Sequence, residues 1–157
     1  MSMYAVNSGV PKTLVRHLVS FYAGEHGGKI APVLKDILDT PVSPELVPAS
    51  KNGESGHKTE QILGAYELHD FYLFHLVRLN ESPRAILRRA KKVFEGKYAP
   101  DEIRRTLELF LRRFFTQQFK RSCSPDGPAV SPLSLSPRSG WRVPSDASPS
   151  LWITDLK

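Results

Sequence analysis

Four prolines set the frame of this chain. Pro11, Pro32, Pro83 and Pro100 each precede a stretch in which apolar residues recur every three or four positions. Proline has no backbone N–H and a nearly fixed φ, so it suits the first turn of a helix and breaks a helix interior. After Pro11 the apolar positions are Leu14, Val15, Leu18, Val19 and Tyr22, and Gly24 and Gly27-Gly28 end the run. Pro32 opens a shorter helix to about Leu38. Ser82-Pro83 reads as an N-cap and a first-turn proline, followed by Ile86, Leu87, Ala90, Val93 and Phe94 on one face and then Gly96. Pro100 is followed by Asp101 and Glu102, an acidic first turn that suits the helix dipole. The stripe behind them is Ile103, Leu107, Phe110, Leu111, Phe114 and Phe115.

Between these runs, Lys58 to Leu63 offers about one helical turn before Gly64. A helix from Tyr66 to about Leu79 is apolar around most of its surface, so it is expected to be the most buried element. The stretch from Asp39 to His57 carries three prolines and two glycines and reads as a long loop. No period-two alternation marks a strand. The fold class expected is mostly α: five to six helices over residues of about 11–118, then an irregular segment over 119–157.

That last segment has the composition of a tail, with Ser-Pro steps at Ser124, Ser131, Ser136 and Ser148 that could be phosphorylated. Leu133, Leu135, Trp141, Val143, Leu151 and Trp152 argue otherwise, because disordered tails are poor in such residues. It is expected to dock onto the helices.

A chain of 157 residues makes about one domain. Its single cysteine, Cys123, excludes an internal disulfide framework and a cysteine-based zinc cluster. The first residues lack a basic region followed by a clean apolar stretch, which argues against a secretion signal, and no run of about 18 apolar residues occurs, which argues against a membrane span. A cytoplasmic location is expected. The net charge of +6 points to an anionic partner. Arg78 to Arg121 holds thirteen Lys or Arg against five acids, but Arg84, Arg88, Lys91 and Lys92 fall off the apolar stripe, as a solvated helix face requires. No nucleic-acid motif accompanies the charge, so a small basic nucleic-acid-binding module stands only as the alternative. His17, His26, His57, His69 and His75 are scattered without metal-ligand spacing, and no metal site is expected. His69-Asp70 are adjacent on a helix and do not face each other. Cys123 beside Lys120 and Arg121 has the surroundings of an activated thiol, yet no partner base is evident.

Five stretches taken together carry a resemblance: YAVNSGVPKTLVRHLV at 4–19, DILDTPVSPEL at 36–46, KTEQILGAYELHDFYLFHL at 58–76, RRFFTQQFKRSCSPDGP at 112–128 and SLSPRSGWRVPSDAS at 134–148. Their order and spacing resemble the C-terminal part of the synthetase domain of bacterial glutamine-dependent NAD(+) synthetases. The resemblance implies a parent α/β domain of the ATP-pyrophosphatase (adenine nucleotide alpha hydrolase-like) kind. It implies ligase chemistry in which deamido-NAD is adenylated with ATP and Mg2+, and ammonia released from glutamine then displaces AMP. A homo-oligomer is implied for the parent enzyme.

The sequence departs from that pattern. It contains no Ser-Gly-Gly-x-Asp-Ser phosphate loop and no glutaminase domain, and Cys123 does not match the glutaminase nucleophile. Met1 resembles an internal methionine, and the whole of 1–157 reads as a C-terminal fragment, inactive alone, that needs the rest of a synthetase chain or a complementary subunit. Smaller departures are NSGVPKT where relatives usually have Asn-Ala-Ser, and Ser139-Gly140 where Gly-Asp is common.

Site residues carry over only where they match. Lys120 matches a lysine that contacts deamido-NAD, and Arg121 either does the same or serves structure. Ser43 and Lys12 correspond to positions near the ATP phosphates, with packing as the competing role of Lys12. No catalytic residue and no metal ligand is assigned.

Overall fold

The computed structural model describes residues 4–40, 63–138 and 140–157. The chain divides into two compact units, Pro11–Glu67 on the one hand and Met1–Val10 with Leu68–Lys157 on the other. Among the described residues the secondary structure is helical, and the sole β feature is an isolated parallel bridge between Tyr4 and Asp126.

In the Pro11–Glu67 unit, α1 (Lys12–Glu25) packs against α2 (Ala31–Asp39) across a 3-10 turn at Gly28–Ile30. Pro11 stands at the N-cap with extended ψ, one residue before the helix it opens. Glycine is required at Gly27, where a Cβ would lie 2.5 Å from the Ala23 carbonyl and 2.8 Å from the Ala31 Cβ. The predicted apolar stripe of α1 forms, but it does not build a core. Ala23 is the one buried residue of α1, and α2 has none. Leu14, Leu18, Phe21, Tyr22, Val33 and Ile37 are all exposed.

The second unit holds most of α3 (Tyr66–Leu73), a π turn (Phe74–Arg78), α4 (Pro83–Val93), α5 (Pro100–Thr116), α6 (Gln118–Ser122) and α7 (Ser150–Thr154). Its core is centred on α5. Ile103, Thr106, Leu107, Phe110, Leu111, Phe114 and Phe115 of α5 are buried, against Leu68 and Tyr72 of α3 and Leu76 of the π turn. The expectation that the Tyr66 helix is the most buried element is thus corrected, and Phe74 is exposed. Tyr72 ties the two together, its hydroxyl donating to the Ile103 carbonyl at 2.9 Å.

The Tyr66 helix also stops being α-helical earlier than periodicity predicts. The wider turn ends with the Leu79 N–H donating to Phe74 O at 3.2 Å, and Asn80 then takes a left-handed φ of 52°. Asparagine tolerates that conformation better than most side chains. The turn is stapled by Glu81. Its carboxylate meets His75 Nδ1 at 2.9 Å and Arg89 Nε at 2.8 Å, and its backbone N–H donates to His75 O at 3.0 Å.

The C-terminal residues run as a strap over these helices. Leu133 and Leu156 are buried. Trp141 packs edge-on against Phe114 at 5.3 Å, and Trp152 lies against Phe115 at 5.3 Å. The strap contributes α7, too short for periodicity to announce, and Asp155 just beyond it. The Asp155 carboxylate accepts from the Arg84 N–H at 2.9 Å, satisfying an orphan donor at the start of α4 beside the Ser82 cap.

Candidate substrate-facing turn

The end of α5 and the single turn of α6 bring the sequence-derived residues Lys120 and Arg121 into one small structure. Gln117 closes α5 and also stands before α6. Gln118 then turns inward and is fully buried. Its carboxamide oxygen accepts from Arg121 Nε at 3.1 Å and from Arg121 Nη2 at 2.6 Å. Arg121 Nη2 also donates to the Phe114 carbonyl. The guanidinium carbon lies 4.4 Å from the centroid of the Phe114 ring, inside cation–π range. Burial pushes the Arg121 guanidinium below its ordinary pKa. The group nonetheless stays charged near neutrality, given how high an arginine pKa starts.

Lys120 points the other way. It is exposed, with its ammonium 5.9 Å from the ring of its exposed neighbour Phe119. No ion pair holds it among the described residues. Its backbone is held from both sides: its N–H donates to Gln117 O at 3.1 Å, and its carbonyl accepts from Ser124 Oγ at 3.2 Å and Cys123 Sγ at 3.3 Å. Cys123 is thereby an exposed thiol engaged in a local turn.

The segment after α6 is anchored at Asp126, whose carbonyl accepts from the Ala5 N–H at 2.7 Å. Arg138 reaches back to the Asp126 carboxylate at 3.2 Å and to the Ser124 carbonyl at 3.0 Å. A Cβ on Gly127 would meet the Ala5 carbonyl oxygen at 2.0 Å, and one on Gly140 would meet the Ser134 carbonyl at 2.1 Å, so both close approaches need glycine.

The remaining sequence-derived residues lie elsewhere. Lys12, at the start of α1, places its ammonium 5.3 Å from the Tyr66 ring centroid. Ser43 lies outside the described residues. One residue at the turn was missed by sequence reasoning. Gln118 could have been found from its i,i+3 spacing to Arg121. Trp141, one of the residues from which docking of the last segment is expected, has an indole N–H that is buried without an acceptor among the described residues. A surface depression of about 320 Å³ is lined by Asn80, Glu81, Ser82, Pro83, Leu151, Trp152 and Asp155, and none of the sequence-derived residues contributes to it. Among the described residues no three His, Cys, Asp or Glu side chains gather into a metal-binding group, so no step through Mg2+ is derived from this segment.

The comparisons with known proteins bear on this turn as part of the whole chain. The glutamine-dependent NAD(+) synthetase of Mycobacterium tuberculosis (strain ATCC 25618 / H37Rv) is 39% identical over 176 residues, covering 99% of this chain and 26% of that relative. The chain is homologous to one segment of the glutamine-dependent NAD(+) synthetases. The synthetase of Mycobacterium leprae (strain TN) is 37% identical over 177 residues, covering 100% of this chain and 26% of the relative. The chain therefore spans about a quarter of the length of the curated synthetases it matches. A crystal structure of a glutamine-dependent NAD(+) synthetase from Cytophaga hutchinsonii shares the fold, with a TM-score of 0.67 and 17% identity over 98% of this chain and 22% of that one. No protein-family model matches. The synthetase relationship thus covers both units, including the turn that carries Lys120.

Proposed function

We propose that the chain works as part of a glutamine-hydrolysing NAD(+) synthase, a ligase, and that it contributes Lys120 to the deamido-NAD site. The observation that carries this is the exposed ammonium of Lys120, without an ion pair among the described residues, on a backbone fixed from both sides, in a chain homologous over its whole length to part of the synthetases. A cation so held can meet the phosphates or carboxylate of a dinucleotide and oppose the charge of the reacting groups. In the proposed reaction deamido-NAD is adenylated with ATP, and ammonia derived from glutamine displaces AMP. Mg2+ would neutralise phosphate charge in that chemistry. The residues described here bind and orient; none is assigned a proton transfer. Ser43 and Lys12 remain proposed neighbours of the ATP phosphates. A cytoplasmic site of action and a homo-oligomeric parent enzyme belong to the same proposal; no helix among the described residues is long and apolar enough to cross a membrane.

A phosphate loop is absent from the sequence, so the chain alone is expected to make no NAD(+) from deamido-NAD, ATP, Mg2+ and ammonia. Turnover by the isolated chain would overturn that. A second reading, a non-catalytic subunit that assembles with a separate phosphate-loop chain, is favoured by the exposed apolar face of α1 and α2. Co-purification with such a chain tests it. The nucleic-acid alternative has only net charge behind it, and Arg84, Arg89 and Arg112 are already paired with Asp155, Glu81 and Glu108.

A further inference from the structure

α6 is five residues long. A single turn of helix is not stable on its own, because nucleation fixes several dihedrals for one hydrogen bond. Something else must hold the turn that carries Lys120, and the structure shows what does. Arg121 commits Nε and Nη2, one complete bidentate edge of its fork, to Gln118 Oε1. It gives Nη2 again to the Phe114 carbonyl and sets its guanidinium carbon over the Phe114 ring, 4.4 Å from the centroid. Gln118 is wholly buried, so its oxygen cannot turn to solvent when Arg121 leaves. The Phe114 ring is itself pinned by Trp141 at 5.3 Å and Phe110 at 5.6 Å.

We propose that Arg121 is a positioning residue for Lys120: its latch onto Gln118 and Phe114 fixes α6 and thereby sets where the Lys120 ammonium meets an anionic dinucleotide. This rests on the reading that Lys120 contacts deamido-NAD. Arg121 then acts without touching substrate, and its neighbour Gln118, assigned no role by sequence, is the acceptor that makes the latch. Lysine cannot replace Arg121, because an ammonium has no planar fork to span the carboxamide and the carbonyl together.

The test is a kinetic cycle in a complete synthetase carrying this segment, with deamido-NAD KM and kcat measured for Lys120→Ala, Arg121→Ala and the double variant. Lys120→Ala and Arg121→Ala should each raise KM about tenfold or more, the scale on which small misplacements of a binding group are felt. The double variant should be no worse than Lys120→Ala alone. Gln118→Glu keeps an acceptor for the guanidinium and should stay near the parent, whereas Gln118→Leu should behave like Arg121→Ala. If Arg121→Ala does not fold, Arg121→Lys replaces it in the same cycle. Should the Arg121 effect persist in full on top of Lys120→Ala, or be absent while Lys120→Ala acts, the latch is overturned and the Lys120 reading stands. A silent Lys120→Ala sinks the Lys120 reading itself, and the latch with it.

Discussion

Arg121 stacks its guanidinium 4.4 Å from the Phe114 ring centroid while donating to the Phe114 carbonyl. One residue of α5 thus meets the same cation with both its ring and its carbonyl, and Trp141 also packs on that ring. Phe114→Ala removes the shared surface of the latch and the strap. It should cost about 3–5 kcal/mol of stability, as large aromatic deletions in cores do. Chemical denaturation of the parent and the variant measures it, and a loss below about 1 kcal/mol would show that the strap does not depend on Phe114.

The strap has its own steric requirement at Gly127. With 2.0 Å between a would-be Cβ and the Ala5 carbonyl oxygen, Gly127→Ala must push apart the pairing of Ala5 with Asp126. The expected cost is about 1–3 kcal/mol, typical of overpacking. Amide hydrogen exchange at Ala5 should rise in parallel; unchanged protection there would contradict the placement.

The Glu81 carboxylate bridges His75 and Arg89, at 2.9 Å and 2.8 Å. Glu81→Ala should loosen the π turn and cost about 1–3 kcal/mol, because the part-buried His75 loses its partner. A thermal melt indistinguishable from the parent would remove the staple from the account.

Tyr72 predicts a pH dependence. Burial, with the Glu102 charge second, pushes its phenol well above the ordinary tyrosine range. The folded state therefore keeps the proton after the unfolded state has begun to lose it. Stability is unaffected by this group below about pH 10 and falls as pH rises beyond it. Tyr72→Phe should lower stability by about 0.5–1.5 kcal/mol near neutrality, through the lost bond to the Ile103 carbonyl. The variant should also flatten the alkaline fall. An equally steep fall in Tyr72→Phe would assign it to other groups.

Helix positions were legible because proline and glycine mark starts and stops locally: Pro83 and Pro100 stand at the first turns of α4 and α5. Which stripe becomes core was not legible. Leu14 and Leu18 of α1 have the same spacing as Ile103 and Leu107 of α5, yet the first pair is exposed and the second fully buried. Periodicity defines a face, and only tertiary partners decide whether it is covered. The docking of the last segment was readable from its tryptophans, while α7 was too short to show a period. At the site, Lys120 came from resemblance. The latch beneath it was missed because Gln118 and Arg121 look like two polar residues in a basic run until the fold brings Phe114 against Arg121.

The exposed face of α1 and α2 makes a prediction for the isolated chain. Leu14, Leu18, Phe21, Tyr22, Val33 and Ile37 are all exposed on one small unit, the kind of apolar surface that a partner covers. The chain alone should bind a hydrophobic dye and self-associate in analytical ultracentrifugation. A dye-silent monomer would mean that the face is covered within the chain.

The central claim is that Lys120 meets deamido-NAD, and the most direct measurement is the deamido-NAD KM of a complete synthetase carrying this segment, with and without Lys120→Ala. The account predicts a rise of about tenfold or more, the worth of one hydrogen bond to a charged group. An unchanged KM together with an unchanged kcat would contradict it.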